Sequence, residues 1–482
     1  MTRAPGRPTT RYVCQACGDA FLRWEGQCRS CSAWNTLVET VVREEPRSAA
    51  AGATARPDAG TVARLVDVGA DAHARLVVGI GELDRVLGGG LVPGSVVLVG
   101  GEPGIGKSTL LLQAAAGIAG RIGPDRVLYA TGEESAAQVR LRAERLGLLG
   151  GDGGRIRVAA ESSIDRLAEI AAADPVPAVL IVDSIQTANV DDLDGAAGSV
   201  GQVRASALRL MELAKPNGIA VVLVGHVTKD GSIAGPKTLE HLVDAVLTLD
   251  GERYAAVRLL RATKNRFGST EEVGVFEMGD GGLLEVADPA RAFLAEHDGP
   301  APGSVVAPTL EGSRPLLVEV QALVAPGALG TPRRTASGVD SNRVALLIAV
   351  LGRRAGIGLG THDVYVNLAG GLSVDEPGLD LPLALALASS LRDRPLAAGT
   401  IAIGEVGLLG ELRSVAGLDR RLREASRLGF GRAVVPRPAR NQPLPEVPGM
   451  EILAVATLRE AIEAALAQRS PLGGAPATAA RC

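Results

Sequence analysis

The stretch SVVLVGGEPGIGKSTLLLQ, residues 95–113, decides the fold of the largest part of this chain. Within it, GEPGIGKS (101–108) matches the pattern G-x-x-x-x-G-K-[ST] at every fixed position. The motif follows an apolar run and opens a helical one, so backbone N–H groups and a helix N-terminus would face a phosphate group. The sequence therefore predicts a site for ATP or GTP. The residues predicted to contact the nucleotide are Gly101, Glu102, Pro103, Gly104, Ile105, Gly106, Lys107, Ser108 and Thr109.

Three side chains are predicted to position the phosphates and the metal ion. We expect the Lys107 ammonium to reach the β- and γ-phosphates and the Ser108 hydroxyl to coordinate Mg²⁺. Asp183 ends the apolar strand AVLIVD and is the second residue predicted to hold the Mg²⁺ shell.

The predicted general base follows another strand, in YATGEES. Either Glu133 or Glu134 could polarise the attacking water, and either could instead place negative charge in the first turn of a helix. Because Glu134 can serve the helix, we assign Glu133 as the base. His226 ends VVLVGH and is predicted to sense the γ-phosphate, with an ordinary hydrogen-bonding role as the alternative.

Short Val- and Leu-rich strands alternate with helices through this region. The runs RVLYA (126–130), AVLIVDS (178–184) and IAVVLVGH (219–226) are typical of buried strands. Their alternation with helices predicts an α/β fold with a mainly parallel sheet covered on both faces. The later runs LVDAVLTLDG and RYAAVRLLRATKNR are predicted to end the sheet as an antiparallel pair.

The chain of 482 residues is too long for one hydrophobic core. Segments rich in Ala, Pro and Gly without apolar periodicity are interpreted as linkers. The predicted organisation is a cysteine module at 12–40, a linker at 41–75, an ATPase domain at 76–286, a linker at 287–313, a separate α/β domain at 314–467 and a disordered tail at 468–482.

Two C-x₂-C pairs separated by ten residues are typical of a zinc site. Four thiolates leave no coordination position open, so the predicted Zn²⁺ is structural, and redox-active cysteines are the alternative. We expect Trp24 and Trp34, in the same module, to cover its small core, with stacking on nucleic-acid bases as the alternative. The predicted metal ligands are Cys14, Cys17, Cys28 and Cys31.

Charge and hydropathy restrict the partners. The formal net charge of −4 gives no overall attraction to nucleic acid, so such binding must come from local basic patches. The sequence has neither a run of 18 uncharged apolar residues nor an apolar signal region in MTRAPGRPTTR. We therefore expect a cytoplasmic protein with no membrane partner.

Together these motifs resemble the bacterial RadA (Sms) family of DNA repair proteins, relatives of RecA. The resemblance runs through the cysteine module, LDRVLGGGLVPGS, GEPGIGKST, GEES, GHVTKDGSIAGPKTLEHLVDAVL and KNRFG, and ends in a domain similar to the proteolytic domain of Lon. It implies a DNA-dependent ATPase that uses ATP and acts on single-stranded and branched DNA together with RecA recombinase. It also implies a homo-hexameric ring that drives branch migration.

The KNRFG motif is the signature of this family. In RecA-like rings the nucleotide lies between subunits, and cations of one subunit contact the γ-phosphate bound by the next. The resemblance implies this trans role for Lys264 and Arg266, with Asn265, Phe267 and Gly268 shaping the turn. The alternatives are a solvated cationic turn and a phosphate clamp on DNA.

The resemblance also suggests loops that contact DNA. In RecA-like proteins the segment after the His226 strand lines the central channel, where Lys229 and Lys237 bracket KDGSIAGPK. A second such loop is NVDDLDGAAGSVGQVR (189–204), whose candidate is Arg204. Mobile surface loops are the alternative in both places.

The Lon-like domain raises the alternative of an ATP-dependent protease. Lon-type proteolysis needs a serine activated by a lysine. Matching the Lon segments places Gly378 at the serine and Asp419 at the lysine, and no lysine follows Lys264. Arginine cannot replace the lysine, because it does not deprotonate in proteins. We therefore expect a non-proteolytic domain that binds duplex DNA, and a RecA-like switch without translocation is the main remaining alternative.

Overall fold

The chain divides into two compact units, Met1–Val62 and Ala63–Cys482, and each is described by itself. The computed structural model describes residues 9–14, 20–21, 23–24, 26–29, 31–34, 37–42, 64, 74–226, 239–251, 256–291, 293–294, 299–327, 331–371, 373–439 and 443–466. The predicted tail and most of the predicted linker at 41–75 lie outside these residues. Within them, no helix is both long enough and apolar enough to cross a bilayer.

The first unit contains a small antiparallel sheet. Its central strand β1 (Thr9–Cys14) pairs with β2 (Ala20–Phe21) and with β3 (Leu37–Val42). Cys14 ends β1 opposite Leu37. The backbone of the first predicted zinc ligand is therefore fixed by strand pairing.

The second unit begins with the predicted ATPase region. Its elements are α1 (Gly81–Leu87), β4 (Val96–Gly101), α2 (Lys107–Ile122), β5 (Val127–Thr131), α3 (Ala136–Arg145), β6 (Arg157–Ala160), α4 (Ile164–Ala172), β7 (Val179–Asp183), α5 (Val200–Asn217), β8 (Ala220–Val224), β9 (Ala245–Asp250), β10 (Val257–Asn265), β11 (Val273–Gly279) and β12 (Gly282–Glu285).

These strands form one sheet, in which the described strands follow the order β12-β11-β10-β9-β4-β8-β7-β5-β6. The six strands from β9 to β6 are parallel, which confirms the predicted α/β fold. The predicted antiparallel pair is β9 and β10, and β11 and β12 extend it by two more antiparallel strands. The pair therefore does not end the sheet.

Aliphatic side chains cover both faces of this sheet. One core lies between the sheet and the helices α1 and α2, and the other lies under α4 and α5. Small residues bring α2 close to its neighbours: a methyl group at Gly117 would lie 2.6 Å from the carbonyl oxygen of Val78. Close packing of small and aliphatic residues therefore fills cores that contain few aromatic rings.

The second half of this unit forms another sheet. Its elements are β13 (Ser304–Glu311), β14 (Arg314–Pro326), β15 (Arg334–Ser337), α6 (Ser341–Val350), β16 (His362–Leu368), α7 (Asp380–Arg392), β17 (Thr400–Ala402), β18 (Glu405–Val406), β19 (Leu412–Arg413), α8 (Leu418–Arg427), β20 (Arg432–Pro436), β21 (Glu451–Val455) and α9 (Leu458–Ala465). The described strands follow the order β15-β16-β14-β13-β17-β20-β21, and β18 and β19 form a separate hairpin.

The segment predicted as the linker 287–313 differs from that prediction in its second half. Strand β13 lies inside it and pairs along its whole length with β14. Pro308, which favoured a linker, is tolerated because the other edge of β13 pairs with β17 only at Val306. The domain boundary at 313–314 therefore falls within a β-hairpin.

The two sheets of this unit share a core. Leu259, Val273 and Val275 of the first sheet belong to the same buried cluster as the apolar residues of the second. At the edge of this contact Arg314, which opens β14, forms an ion pair with Glu82 of α1. The ATPase region and the C-terminal region are therefore packed against each other.

Candidate active site

The phosphate-loop motif has the geometry that its sequence predicts. Strand β4 ends at Gly101, and α2 begins at Lys107. Gly104 and Gly106 have left-handed φ angles of 81° and 119°. A side chain at Gly106 would also meet the Met278 methyl group at 2.6 Å. The backbone conformation therefore favours glycine at Gly106, and a larger residue would also have to displace the end of the Met278 side chain.

Lys107 is nearly fully buried at the start of α2. Its Nζ donates hydrogen bonds to the carbonyl oxygens of Gly101, at 2.8 Å, and Glu102, at 2.9 Å. Burial lowers the pKa of Lys107 to about 8, although the carboxylates of Asp183 and Glu133 act in the opposite direction. Asp183, the predicted Mg²⁺ ligand, and Glu133, the predicted base, are thus close enough to Lys107 to favour its charged form.

Asp183 stands at the end of β7, and its carboxylate is oriented by a neighbouring strand. The hydroxyl of Tyr129 on β5 donates a hydrogen bond of 2.6 Å to Asp183 Oδ2, and both residues are buried. Burial and the adjacent Asp183 charge raise the pKa of Tyr129 well above its usual value. The phenol therefore remains protonated and continues to donate.

The predicted base and the predicted sensor are in contact. Glu133 Oε1 accepts a hydrogen bond from the hydroxyl of Ser184 and lies 3.3 Å from His226 Nε2. Ser184 is buried, whereas the Glu133 side chain is 42% exposed and could meet a water molecule. Among the described residues, the buried His226 Nδ1 has no hydrogen-bond partner.

The helix role that separated Glu134 from Glu133 is filled by other residues. Helix α3 begins at Ala136, and Ser135 caps it by accepting a hydrogen bond from the backbone N–H of Gln138. Glu134 precedes this cap and forms an ion pair with Arg142. The expectation that Glu134 lies in the first helical turn was therefore wrong. The ion pair with Arg142 nevertheless gives Glu134 a structural contact that Glu133 does not have.

The KNRFG turn lies at the opposite end of the sheet from the phosphate loop. Lys264 Nζ donates to the carbonyl oxygens of Glu240, at 2.6 Å, and Val243, at 2.8 Å. Arg266 forms an ion pair with the buried Asp244 just before β9, which runs parallel to β4. Since the phosphate loop follows the far end of β4, about 17 Å of strand separates the two sites.

The remaining motif residues hold the turn in place. The Asn265 side chain donates to the Val86 carbonyl oxygen at 3.3 Å and accepts from the Phe267 N–H at 2.9 Å. Gly268 lies so close that a methyl group there would be 2.9 Å from Asn265 Nδ2. These hydrogen bonds therefore hold the turn against α1, while Phe267 is 40% exposed.

The candidate DNA-contact residues are only partly described. Lys229 and Lys237 lie outside the described residues. Arg204 is exposed but stands on α5, which begins at Val200 after the cap Ser199, and not in the predicted loop. The prediction missed this start because Gly195 and Gly198 made the whole segment resemble a loop.

The cysteine module shows one of its two predicted knuckles. Ser32 N–H donates to the Cys28 carbonyl oxygen at 2.8 Å, and Cys28 N–H donates to the Ala33 carbonyl oxygen at 2.9 Å, which closes a tight turn around Cys28 and Cys31. The side chains of Cys14 and Cys17 lie outside the described residues. Two thiols in such a turn fit a tetrahedral Zn²⁺ site, whose other ligands would be Cys14 and Cys17.

The tryptophans of this module are not core residues. Trp24 is 57% exposed and Trp34 is 69% exposed, so the expectation that they cover a core was wrong. So small a unit has little interior in which to bury an indole ring.

In the C-terminal region, ion pairs lie at or beside the two positions that match the catalytic serine and lysine of Lon. Gly378 is buried beside the start of α7, and Asp419 on α8 pairs with Arg423. Next to Gly378, Glu376 pairs with the buried Arg421. The described residues at the matched positions therefore offer neither a nucleophilic hydroxyl nor an amine.

Asp380, two residues after Gly378, is held in a second ion pair, with Arg343 of α6. Burial raises the pKa of Asp380, although Arg343 and the Val406 N–H both favour its ionised form. Its carboxylate therefore connects α7 to Arg343 of α6 and to Val406 of β18.

Comparisons with known proteins identify the family. DNA repair protein RadA of Pseudomonas aeruginosa is 49% identical over 453 residues, which cover 94% of this chain and 98% of that protein. DNA repair protein RadA of Listeria monocytogenes is 46% identical over 465 residues, which cover 96% of this chain and 99% of that protein. This chain belongs to the RadA family. Crystallised RadB recombinase aligns at 23% identity with a TM-score of 0.35 over 44% of this chain and 99% of that chain, too weak a likeness to inform the site.

Family models match three segments of this RadA family member. An AAA domain matches residues 64–232, a rubredoxin metal binding domain matches 12–39, and subunit ChlI of Mg-chelatase matches 335–439. The chain is thus a RecA-like ATPase with a Lon-like C-terminal domain, in a family of DNA repair proteins. The ATPase domain implies ATP and Mg²⁺, and the metal-binding module is consistent with Zn²⁺.

Sequence reasoning missed two residues that support the predicted site. Tyr129 donates a hydrogen bond to Asp183, the predicted Mg²⁺ ligand, and Ser184 donates one to Glu133, the predicted base. The available signal for Tyr129 was a polar-tipped ring inside an otherwise aliphatic strand, VLYAT, in a chain with only 2% aromatic residues.

We expect Tyr129→Phe to weaken the use of Mg²⁺. It removes the hydroxyl that orients the Asp183 carboxylate, and outer-shell partners of this kind typically change metal affinity or activity by about 10–100-fold. The measurement is the Mg²⁺ concentration that gives half-maximal ATP hydrolysis, which should rise about tenfold or more. Tyr365→Phe, in the C-terminal region, is the matched control. An unchanged Mg²⁺ requirement in a folded Tyr129→Phe protein would contradict the assignment.

We expect nucleotide binding to take up a proton at alkaline pH. With a pKa of about 8, Lys107 is roughly 10% deprotonated at pH 7 and roughly 90% deprotonated at pH 9. Phosphate charge next to Nζ raises this pKa, so binding should protonate the deprotonated fraction. Calorimetry of MgATP binding in buffers of different ionisation enthalpy measures the uptake. Uptake that does not grow from pH 7 to pH 9 would rule out this pKa, and Lys107→Arg, which remains charged, should show none.

Proposed function

We propose that this chain is a DNA-dependent ATPase that drives branch migration of recombination intermediates as a ring motor alongside RecA recombinase. The observation that carries the proposal is the contact between Glu133 and His226. His226 directly precedes the segment with Lys229 and Lys237, the candidate contacts to DNA. A side chain that touches the predicted base therefore adjoins the predicted DNA-binding segment.

The proposed reaction uses groups of one subunit to bind ATP and activate water. Lys107 holds the β- and γ-phosphates, and Ser108 and Asp183 hold the Mg²⁺ ion. Glu133 accepts a proton from the attacking water, which adds to the γ-phosphorus as the bond to ADP breaks. When the γ-phosphate leaves, His226 loses one of the groups that it contacts, and this change reaches the adjoining DNA-binding segment.

The proposed ring supplies the remaining cations. Lys264 and Arg266 lie about 17 Å of strand away from the phosphate loop of their own subunit, and a neighbouring subunit could bring its phosphate loop to them. A cation that stabilises the transferring phosphoryl group in trans is typically worth about 10³–10⁵ in rate. Its position would make hydrolysis depend on assembly.

One observation favours the alternative, a nucleotide switch that controls assembly without translocation. The Lys264 ammonium and the Arg266 guanidinium both bond within their own subunit, to the carbonyl oxygens of Glu240 and Val243 and to Asp244. In that case KNRFG would stabilise a docking turn, and hydrolysis would be slow and indifferent to DNA.

ATP hydrolysis with and without single-stranded DNA, at two salt concentrations, separates these functions. We expect DNA to stimulate the motor and the stimulation to fade at higher salt, because phosphate contacts release counterions. The matched variant is Glu133→Gln, which should bind ATP and DNA without hydrolysis. Hydrolysis by the wild-type protein at the same rate with and without DNA would overturn the motor and favour the switch.

We expect Lys264→Ala to bind ATP normally but to lose most hydrolysis, by about 10³-fold or more if it acts in trans. Lys215→Ala, at an exposed helix position of the same domain, is the matched control. Mixing two variants tests the trans role. Lys264→Ala subunits keep an intact nucleotide site, and Lys107→Ala subunits keep Lys264. In mixed rings the second kind of subunit should supply Lys264 to the nucleotide site of the first and restore hydrolysis there. Full ATPase activity of Lys264→Ala would contradict the trans role. So would a mixture of the two variants that regains no hydrolysis although both are as thermally stable as the wild-type protein.

A further inference from the structure

The hairpin of β18 and β19 ends in an apolar tip. Its tight turn, residues 407–410 and hereafter the leucine turn, has the sequence Gly-Leu-Leu-Gly. Leu408 is 66% exposed and Leu409 is 73% exposed, the largest value among the described large hydrophobic side chains. Single exposed leucines are ordinary, but two adjacent ones at the tip of a hairpin form a protruding apolar surface.

This tip is rigid rather than a loose loop. Gly410 N–H donates to the Gly407 carbonyl oxygen at 2.9 Å, and Gly407 N–H donates to the Glu411 carbonyl oxygen at 2.9 Å. The Leu458 N–H at the start of α9 donates to the Gly410 carbonyl oxygen, also at 2.9 Å. At the base of the hairpin, Val406 N–H donates to the buried Asp380 carboxylate at 3.0 Å. The two leucines are therefore presented in one fixed position.

Three arginines stand beside the leucine turn. Gly410 packs against Arg354 so closely that a methyl group at Gly410 would lie 2.9 Å from Arg354 Cβ. Arg459 Nη2 donates to the Arg354 carbonyl oxygen at 3.2 Å, and Arg353 is the adjacent residue. All three are exposed, and none forms an ion pair with a described carboxylate.

Other charged side chains in the same area form ion pairs within the chain. Arg413, on the hairpin itself, pairs with both Glu405 and Glu411, which leaves one carboxylate charge in excess there. Arg437 pairs with Glu460 of α9. The three arginines outnumber the one excess carboxylate of the hairpin, in a chain whose formal net charge is −4.

We propose that this surface binds branched duplex DNA at its branch point. Arg353, Arg354 and Arg459 contact backbone phosphates, while Leu408 and Leu409 pack against the last stacked base pair and hold it open. Apolar side chains that enter base steps next to basic residues unstack DNA in this way. The proposal rests on the DNA partner of the proposed function and adds a site that separates strands without ATP.

The test uses full-length protein without nucleotide and a DNA fork that carries 2-aminopurine, which fluoresces more when unstacked, at the branch point. We expect wild-type protein to raise this fluorescence, and to leave it unchanged when the probe lies ten base pairs away. Leu408→Ser combined with Leu409→Ser should lower the rise at least fivefold while fork affinity changes less than threefold. Leu141→Ser, at an exposed leucine of α3, is the matched control.

The arginines are tested by fork affinity as a function of salt. Arg353→Ala with Arg354→Ala should weaken binding tenfold or more and reduce the slope of log affinity against log salt by about 1.8, for two lost phosphate contacts. Arg333→Ala with Arg334→Ala, another exposed adjacent pair in the same region, is the matched control and should change neither value.

Three outcomes would overturn this inference. The first is leucine variants that raise the fluorescence as wild type does, and the second is paired arginine variants that bind with equal strength. The third is leucine variants that change the oligomer mass in light scattering, which would make the leucine turn a contact between copies. If DNA stimulates hydrolysis by the wild-type protein but the 2-aminopurine fluorescence does not rise, this inference is overturned and the proposed function stands. Wild-type protein that binds no DNA defeats the proposed function as well.

Discussion

The candidate active site depends on one constraint, the parallel direction of neighbouring strands in the first sheet. Strands β4, β5, β7 and β8 are adjacent and parallel, so their carboxyl ends meet at one edge. Lys107, Glu133, Asp183 and His226 each follow or end one of these strands, and they converge although they are distant in sequence. The same geometry explains why burial of Lys107 is tolerated, because two carboxylates at that edge offset part of its desolvation.

The packing of the C-terminal region extends this constraint beyond the ATPase domain. The β13–β14 hairpin brings Glu311 to Arg261 of β10, and Arg314 to Glu82 of α1. In helix α1, the Val86 carbonyl oxygen accepts a hydrogen bond from the Asn265 side chain. A contact made by the C-terminal region is therefore connected, through buried apolar residues and ion pairs, to the elements that hold the KNRFG turn.

The sequence predicted the features that depend on local pattern. The phosphate loop is contiguous, and the rule that functional residues follow parallel strands predicted where Asp183, Glu133 and His226 lie. It could not predict the bond between Tyr129 and Asp183, which requires the register that pairs β5 with β7. Pro308 is compatible with a strand only where the adjoining edge is unpaired, which depends on the tertiary structure, so the sequence alone could not distinguish β13 from a linker.

Strand β4 joins the two ends of the proposed reaction mechanically. At its start, Asp244 accepts a hydrogen bond from the Val96 N–H at 3.0 Å and also pairs with Arg266 of the KNRFG turn. At its end, the same strand continues into the phosphate loop, where the Gly101 carbonyl oxygen accepts a hydrogen bond from Lys107 Nζ. If Arg266 contacts a neighbour's nucleotide as proposed, its bond to Asp244 must weaken or rearrange, and the start of β4 loses a fixed point. Nucleotide occupancy in one subunit would then affect the phosphate loop of the next through the six residues of β4, without a separate relay of side chains.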